Sequence, residues 1–403
     1  MASRDDDDGF GHRRGDTAYR RILIGLFFAG VATFAQLYSP QAVLPEISVD
    51  LEVEPATSAL LLSFATIGLA LGVIPWSVVA DRVGRVPAMT AAVVGATTVG
   101  LLVPFAPTLP LLLAGRFVEG LLVAGVPAVV IAYLSEEIHP ADATRAAGTY
   151  VAGTSLGGLL GRIVAGPAGE LIGWRASMAA VAAVCALATA AFIVVVPKAQ
   201  GFRKHPLAVR SVLERLRASV RSPRLLALYA QGFLLMGAFV ALYNYLAFRL
   251  GGPPFDVPAS IISLLFLAYL AGTVSSSLAG WLVDRLGRRG ALLATAAVFA
   301  LGTVLTLTDA LPLIIVGLVV ATAGFFGAHS IASGWVGREA VTGRAQAGSL
   351  YNHFYYLGSS VFGWLGGALL VSFGWPGVVG MVCALVACAA LVALLVLRPR
   401  PTP

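Results

Sequence analysis

The sequence predicts an all-helical membrane protein of twelve transmembrane helices, arranged as two pseudo-symmetric bundles of six. Hydrophobic residues make up 58% of the 403 residues, charged residues only 12%, and the mean hydropathy is +0.87, which is too apolar for a soluble chain of this length. Twelve apolar segments have the length that a helix needs to cross about 30 Å of hydrocarbon. A charged motif occurs twice, 203 positions apart. The chain therefore reads as two copies of one unit.

The two bundles are predicted to cover residues 22–196 and 225–397. Within them, the predicted spans are 22–44, 58–80, 88–105, 109–134, 145–170, 174–196, 225–249, 258–282, 290–308, 311–336, 346–372 and 375–397.

Three polar segments lie outside the bundles. Residues 1–21 lack the apolar core and cleavage site of a signal peptide, so we expect a disordered cytoplasmic tail there and a second tail at 398–403. Residues 197–224 carry eight basic residues and one acid, with apolar residues at helical spacing. This pattern predicts an amphipathic linker helix on the anionic inner leaflet, and it leaves open a site for a regulatory partner.

The basic residues indicate which side of the membrane the termini face. Of the 27 Lys and Arg residues, 23 fall in the tails and the even-numbered loops, so both termini are predicted to be cytoplasmic. Their clustering in short loops argues against nucleic acid as a partner. Cys185, Cys383 and Cys388 lie within apolar spans, so no disulfide framework, metal site or cofactor is expected.

The repeated motif occupies residues 77–86 and 280–289. Its matching positions are Asp81, Arg82, Gly84 and Arg85 in the first copy and Asp284, Arg285, Gly287 and Arg288 in the second. We expect each aspartate to face unpaired N–H groups at the start of the next helix, and each glycine to reverse the chain with a positive φ. The arginines are expected to stay in water or among lipid phosphates. The motif predicts a tight, charged hairpin between two spans.

The repeat continues inside the spans. Gly173-Trp174 closes the fifth span and Gly374-Trp375 closes the eleventh. Gly153, Gly157 and Gly161, spaced four residues apart, predict a face where two helices approach closely. This face either serves helix packing alone or slides during a conformational change.

Three charged side chains lie deep within predicted spans: Arg116, Glu119 and Arg162. Such charges are costly unless they are paired or face water, so they are functional candidates. Arg116 and Glu119 are three residues apart on one helix and can pair. Glu119 and Arg162 both lie roughly 15 Å deep, so a cluster of all three is expected. If a second conformation separates Glu119 from its arginine, Glu119 takes up a proton. Glu119 is thus a candidate proton carrier, with Arg116 and Arg162 as proton-coupling partners; a permanent ion pair and direct substrate contact are the alternatives.

The pattern G-x-x-x-D-R-x-G-R-R resembles the cytoplasmic loop signature of the major facilitator superfamily. The second copy matches fully, whereas the first has Ser77 and Val86 at the outer positions. Arg116-Phe-Val-Glu119-Gly120 is similar to the fourth-span arginine motif of proton-coupled facilitators. Residues 37–41, 157–162 and 355–360 resemble the YnfM-type bacterial branch, twelve-span permeases assigned to export of acriflavine-like compounds and sugars.

The resemblance implies a non-enzymatic, proton-coupled exporter of drug-like, amphipathic or sugar-like small molecules that works by alternating access, with the repeated motif as a conformational switch. It implies a monomer in the bacterial inner membrane whose partners are a small-molecule substrate, protons and the lipid bilayer. An uptake permease or lipid flippase of the same fold is the alternative, and a non-transporting receptor is a third.

The resemblance also places polar side chains of four spans in a substrate cavity. They are Gln36, Tyr38, Gln41, Gln231, Tyr243, Asn244, His329, Tyr351 and Asn352. Each serves either an interhelical hydrogen bond or a ligand. His329 and His353 are secondary proton-site candidates. Arg162 stands where drug antiporters usually have proline, and the first span has no acid, so an anionic, zwitterionic or neutral substrate is as credible as a cationic drug.

Overall fold

A computed structural model describes residues 11–202, 217–340 and 343–398, and nearly all of them are helical. Within these residues, nine helices are long and apolar enough to cross a membrane. Three of the nine contain two spans each, divided at Gly173, Gly287 and Gly374, where φ is positive. The predicted twelve spans are therefore confirmed.

The spans are numbered in chain order. Span 1 is Thr17–Tyr38, span 2 Pro55–Val83, span 3 Arg85–Leu102, span 4 Leu109–Val123 with Gly125–Glu137, spans 5 and 6 Pro140–Val195, span 7 Pro223–Gly251, spans 8 and 9 Ala259–Leu264 with Tyr269–Leu305, span 10 Leu311–Glu339, and spans 11 and 12 Arg344–Val396. A short helix, Leu44–Asp50, lies between spans 1 and 2.

The even number of spans places Thr17, where span 1 begins, and Val396, where span 12 ends, on one face of the molecule. We call it the terminal face; it carries Thr17, Gly84, Glu137, Gly287 and Glu339. The opposite face carries Pro55, Leu109, Gly173, Ala259 and Leu311.

The glycines of the repeated motif turn the chain at the terminal face. Gly84 has φ 102° and Gly287 has φ 68°, which confirms the expected positive φ in both copies. A residue with a Cβ is strained in this conformation, so glycine is required there. On the opposite face, Gly173 and Gly374 turn the chain in the same way. The tryptophans that follow them are anchored: Trp174 Nε1 donates to Asp50 Oδ2 at 2.9 Å and Trp375 Nε1 to the Thr306 carbonyl at 3.0 Å.

Span 5 packs directly on the backbone of span 1 through its spaced glycines. A Cβ at Gly157 would lie 2.6 Å from the Val31 carbonyl oxygen of span 1. Cβ atoms at Gly153 and Gly161 would meet the carbonyls of Phe27 and Ala35, one turn to either side. Gly358 of span 11 meets the Phe233 carbonyl of span 7 in the equivalent way. Close backbone contact of this kind provides the dispersion attraction that holds helices together in lipid.

The start of span 1 differs from the prediction. Span 1 begins at Thr17, and His12 N donates to the Glu137 carbonyl at 2.8 Å while Arg14 N donates to Asp142 Oδ2 at 3.0 Å. The prediction of a disordered tail is therefore wrong for residues 11–21, because their polar groups find partners at the end of span 4 and the start of span 5. Residues 1–10 and 399–403, and residues 203–216 of the predicted linker helix, lie outside the described part of the chain.

Candidate functional site

The N-terminal and C-terminal halves of the molecule contact each other near the opposite face. Gln41 Nε2 donates to Asn244 Oδ1 at 2.7 Å, and Ser260 N donates to Glu170 Oε1 at 3.1 Å. Ser63 Oγ, eight residues into span 2, donates to the Ser360 carbonyl at 3.0 Å. Among the described residues, the hydrogen bond between halves that lies nearest the terminal face joins His353 to the Ala70 carbonyl, at about the middle of span 2.

Two equivalent backbone contacts close the opposite face. A Cβ at Gly166 of span 5 would lie 2.8 Å from the carbonyl oxygen of Ala259, where span 8 begins. A Cβ at Gly367 of span 11 would lie 2.5 Å from the Cα of Ala56, where span 2 begins. By contrast, a Cβ at Gly148 or Gly348, at the terminal ends of spans 5 and 11, would meet nothing within 4 Å. The halves are sealed at the opposite face and separate toward the terminal face.

Arg116 and Glu119 form the predicted ion pair inside the N-terminal bundle. Arg116 Nη1 lies 2.6 Å from Glu119 Oε2, and the two side chains are 1% and 2% exposed. Arg116 also donates to backbone carbonyls of spans 1 and 2, at 2.6 Å to Leu37 and 3.1 Å to Leu61. A Cβ at Gly100 of span 3 would lie 2.9 Å from Glu119 Oε1, so the carboxylate is enclosed by its own bundle.

Two predicted cavity residues are also enclosed within a bundle. Gln36 Nε2 donates to the Ala96 carbonyl at 2.6 Å, and Gln231 Nε2 donates to the Ala389 carbonyl at 2.9 Å. Both side chains are almost fully buried. In this structure each amide bridges two spans of one half, which is the hydrogen-bonding alternative.

Arg162 lies apart from the other two charges, at the interface between the halves. Its Nε donates to Gln41 Oε1 and its Nη1 to the Gly158 carbonyl, both at 2.7 Å. Among the described residues it forms no ion pair, and neither Arg116 nor Glu119 is a hydrogen-bond partner. The predicted three-charge cluster is wrong, because similar depth in two spans does not bring their side chains to the same face.

Aromatic rings from both halves surround the Arg162 guanidinium. Its central carbon lies 4.2 Å from the ring centroid of Tyr38, 4.7 Å from that of Phe266 and 5.0 Å from that of Tyr269. The predicted cavity residue Tyr243 stacks on Phe266 with the centroids 5.2 Å apart. Sequence analysis named Tyr38 and Tyr243 but missed Phe266 and Tyr269, since nothing in an apolar span distinguishes such rings from packing residues.

The remaining cavity candidates lie on spans 10 and 11. His329 Nδ1 lies 2.9 Å from the Tyr351 hydroxyl oxygen, and the His329 ring is 4.8 Å from that of Tyr355. Asn352 is exposed and forms no hydrogen bond with another described residue. His329 and Tyr351 therefore satisfy each other, while Asn352 has a free amide.

The first copy of the repeated motif forms an ion-pair network that joins spans 2, 3 and 4. Arg85 Nη1 lies 2.5 Å from Asp81 Oδ1, and Nη2 lies 2.7 Å from Glu136 Oε1. Arg85 is only 7% exposed, so its predicted place in water or among lipid phosphates is wrong. Asp81 pairs with this arginine and does not cap the next helix, which has no side-chain cap. Glu136 was not among the residues predicted from the sequence. Its position at the end of span 4, next to a second acid and on the side of the protein that carries most basic residues, is the pattern that indicates such a pair.

The second copy is arranged differently. The Arg285 guanidinium lies 4.2 Å from the Trp281 ring centroid and that of Arg288 lies 6.0 Å from Trp335. Asp284 is exposed and has no ion pair within the described residues. The two copies have the same four matching residues and the same backbone turn. Among the described residues, only the first copy forms the ion-pair network.

Comparison with known proteins settles the family. The family model of the Major Facilitator Superfamily matches residues 26–268 and 254–403. The chain belongs to the major facilitator superfamily. It is 39% identical over 380 residues to the inner membrane transport protein YnfM of Escherichia coli (strain K12), covering 94% of this chain and 91% of that one. It is 36% identical over 370 residues to the MFS-type transporter YybF of Bacillus subtilis (strain 168), with 92% of each chain covered. The protein is therefore a membrane transporter of this superfamily.

Solved facilitator structures share its fold. A bacterial homologue of the human lysosomal transporter Spinster, in an inward-facing conformation, superposes with a TM-score of 0.78 at 17% identity, covering 96% of this chain and 100% of that one. The nucleoside transporter NupG superposes with a TM-score of 0.77 at 13% identity, covering 94% and 100%. The two six-span bundles of this facilitator are thus arranged as the sequence predicted.

Proposed function

We propose that this facilitator is a proton-coupled secondary transporter that exports small molecules by alternating access. The observation that carries the proposal is the Arg116–Glu119 pair, which is buried near mid-bilayer in the N-terminal bundle. Glu119 lies ten residues into span 4, roughly 15 Å from the opposite face.

The pair supports proton coupling because neither charge is stable there alone. An ion pair that is withdrawn from water depends on its geometry and on additional hydrogen bonds, which Arg116 obtains from span 1 and span 2 carbonyls. If rocking of the halves moves span 1 or 2 relative to span 4, those bonds break. Glu119 is then neutralised by a proton, since an isolated carboxylate is disfavoured in a low-dielectric medium.

The export direction is part of our proposal, and the open side of the molecule is the side from which an exported substrate would load. The terminal face carries most of the basic residues, so we place it in the cytoplasm, together with both termini. The seal at the opposite face then leaves the interface between the bundles accessible from the cytoplasm. A substrate loads from that side and leaves outward after the halves rock about the central site, with the proton gradient of the bacterial inner membrane as the energy source.

The test is a transport assay in proteoliposomes under an imposed pH gradient. The panel comprises a cationic dye, a sugar and an amphipathic anion, and wild type is compared with Glu119→Gln. We expect the variant to lose gradient-driven accumulation of every compound that wild type moves. Asp309→Asn is the matched control, because that carboxylate is 81% exposed on the opposite face and lies in the loop between spans 9 and 10.

Two outcomes would defeat the proposal. If Glu119→Gln drives accumulation as well as wild type, Glu119 is not the proton carrier. If vesicles of known orientation accumulate substrate only toward the terminal face, the protein is an uptake permease.

A further inference from the structure

We propose that Arg162 and the rings around it form a binding site for a planar organic anion, an aromatic carboxylate or sulfonate, between the two halves. The inference rests on the proposed transport function and adds the chemical class of the substrate to it.

Arg162 carries a buried charge that no carboxylate among the described residues compensates. Arg162 is 2% exposed and lies eleven residues from the Gly173 turn, roughly 16 Å from the opposite face. The other arginines buried to this degree among the described residues, Arg85 and Arg116, pair with carboxylates. The acceptors of Arg162 are a neutral amide and a carbonyl. A buried cation without a counter-ion is costly, and an anionic ligand would supply the missing charge.

Unused hydrogen-bond donors lie beside this charge. Nη2 of Arg162 donates to no described atom, whereas Nε and Nη1 are held by Gln41 and Gly158. Gln41 Nε2 in turn donates a hydrogen bond to Asn244 Oδ1 of the other half. Asn244 Nδ2 is buried and has no partner among the described residues. A guanidinium fork with an amide donor nearby matches the several oxygens of a carboxylate or sulfonate.

The side chains that surround the Arg162 guanidinium are aromatic. Tyr38 contributes a ring from the N-terminal half, and Phe266 and Tyr269 contribute rings from the C-terminal half. The aromatic wall of the C-terminal half continues through Tyr243 and Phe239, which stacks on Phe325 with centroids 3.9 Å apart. Offset and edge-to-face contacts favour a flat ring over an aliphatic body of the same size.

The site also requires both halves. Tyr38 of the N-terminal half and Phe266 and Tyr269 of the C-terminal half lie against the same guanidinium. Arg162 itself reaches across the interface to rings of span 8. A ligand held there contacts the two rocking bodies at once, so its binding depends on their relative position.

The test is calorimetric binding to the purified full chain in detergent. The anions are salicylate, benzoate and naphthalene-2-sulfonate; salicylamide is the neutral match in shape to salicylate, and benzylamine is the cation. We expect wild type to bind salicylate roughly tenfold to a hundredfold more tightly than salicylamide, the range of one or two hydrogen bonds to a charged group. Arg162→Gln is expected to remove that discrimination, and Arg162→Lys to retain part of it because the charge remains without the planar fork.

Arg249→Gln is the matched control. Arg249 also lies over two rings, those of Phe255 and Trp375, but it pairs with Asp309 at the opposite face. We expect it to leave the preference for salicylate within a factor of about two of wild type, since its guanidinium is compensated and remote from Arg162.

Three results would overturn the inference: no binding of any of the three anions, equal binding of salicylate and salicylamide by wild type, or unchanged salicylate binding by a folded Arg162→Gln variant. If Arg162→Gln does not fold, the comparison of the two probes on wild type and Arg162→Lys decides. Arg162-dependent binding without proton-driven transport would defeat only the proposed function. Proton-driven transport of cations or sugars without anion preference would defeat only this inference.

Discussion

Glu46 shows how one side chain can make the seal between the halves sensitive to pH. It lies in the short helix Leu44–Asp50, outside the spans, where burial and the nearby Glu170 carboxylate raise its pKa from 4.5 to about 7. Glu170 in turn accepts a hydrogen bond from Ser260 of the other half. Protonation of Glu46 removes its repulsion with Glu170, and we expect this to favour the sealed conformation, in which Glu170 accepts a hydrogen bond from Ser260.

The pH dependence of the seal follows from the sign of this shift. The contribution of protonated Glu46 to the stability of the sealed conformation is fully present below about pH 4.5, the ordinary pKa of the group. It is lost as the pH rises through about 7. Spin labels at Val49 and Ala310, in a chain whose three cysteines are replaced, report the distance between the halves at the opposite face. We expect the short-distance population to fall between pH 5 and pH 8, and Glu46→Gln to keep it constant. An unchanged pH profile in Glu46→Gln would assign the effect to another group.

The individual charges also show how far a sequence can specify a site. The Arg116–Glu119 pair could be predicted because its partners are three residues apart on one helix. The surroundings of Arg162 could not, because its rings come from span 1 and from span 8, more than a hundred residues away. Arg85 and Glu136 are a further case, since their contact depends on how spans 3 and 4 pack.

At the scale of elements, the close contact between spans 1 and 5 predicts which glycines are irreplaceable. Gly157→Val places a branched side chain against the Val31 carbonyl, where a Cβ alone would lie 2.6 Å away. We expect a loss of stability of about 1–3 kcal/mol or more from this overpacking. Gly148→Val on the same helix is the control, since nothing lies within 4 Å there. Thermal unfolding and the yield of monodisperse protein provide the measurement; equal melting temperatures would show that the seam tolerates side chains.

The ion-pair network of spans 2, 3 and 4 predicts a difference between the two copies of the repeated motif. Arg85→Gln leaves Asp81 and Glu136 without their shared cation, and truncating one partner of a buried pair is strongly destabilising. We expect the transport rate to fall roughly tenfold or more. The equivalent change in the second copy, Arg288→Gln, removes a guanidinium that lies 6.0 Å from a ring and should stay within about twofold of wild type. Equal losses in both copies would mean that the motif acts through its turn alone.

For the whole molecule, the twelve spans and the repeat could be predicted because hydropathy and the duplicated motif are local properties of the chain. The conformation could not be predicted from them. The same twelve spans are compatible with a molecule closed at the terminal face and with one closed at the opposite face. Only the contacts between the halves distinguish these two conformations.

Locking the halves together tests whether the sealed state is one stage of a cycle. Thr66 Oγ1 and Ser360 Oγ, from spans 2 and 11, lie 2.7 Å apart, so cysteines at these positions are placed to form a disulfide. In a chain without Cys185, Cys383 and Cys388, we expect oxidation of Thr66→Cys/Ser360→Cys to abolish transport and reduction to restore it. Each single variant is the control for oxidation itself. Full transport by the cross-linked protein would rule out separation of the halves at this point.

The contacts of Gly166 with Ala259 and of Gly367 with Ala56 cost little entropy when the seal at the opposite face forms. These four residues have no rotamers to immobilise, so bringing them together sacrifices almost no side-chain entropy. They also carry no side-chain polar group that must shed water when the gap narrows. Because the two contacts are equivalent under the internal repeat, we expect one rotation of the halves to break both, together with the Gln41–Asn244 and Glu170–Ser260 hydrogen bonds.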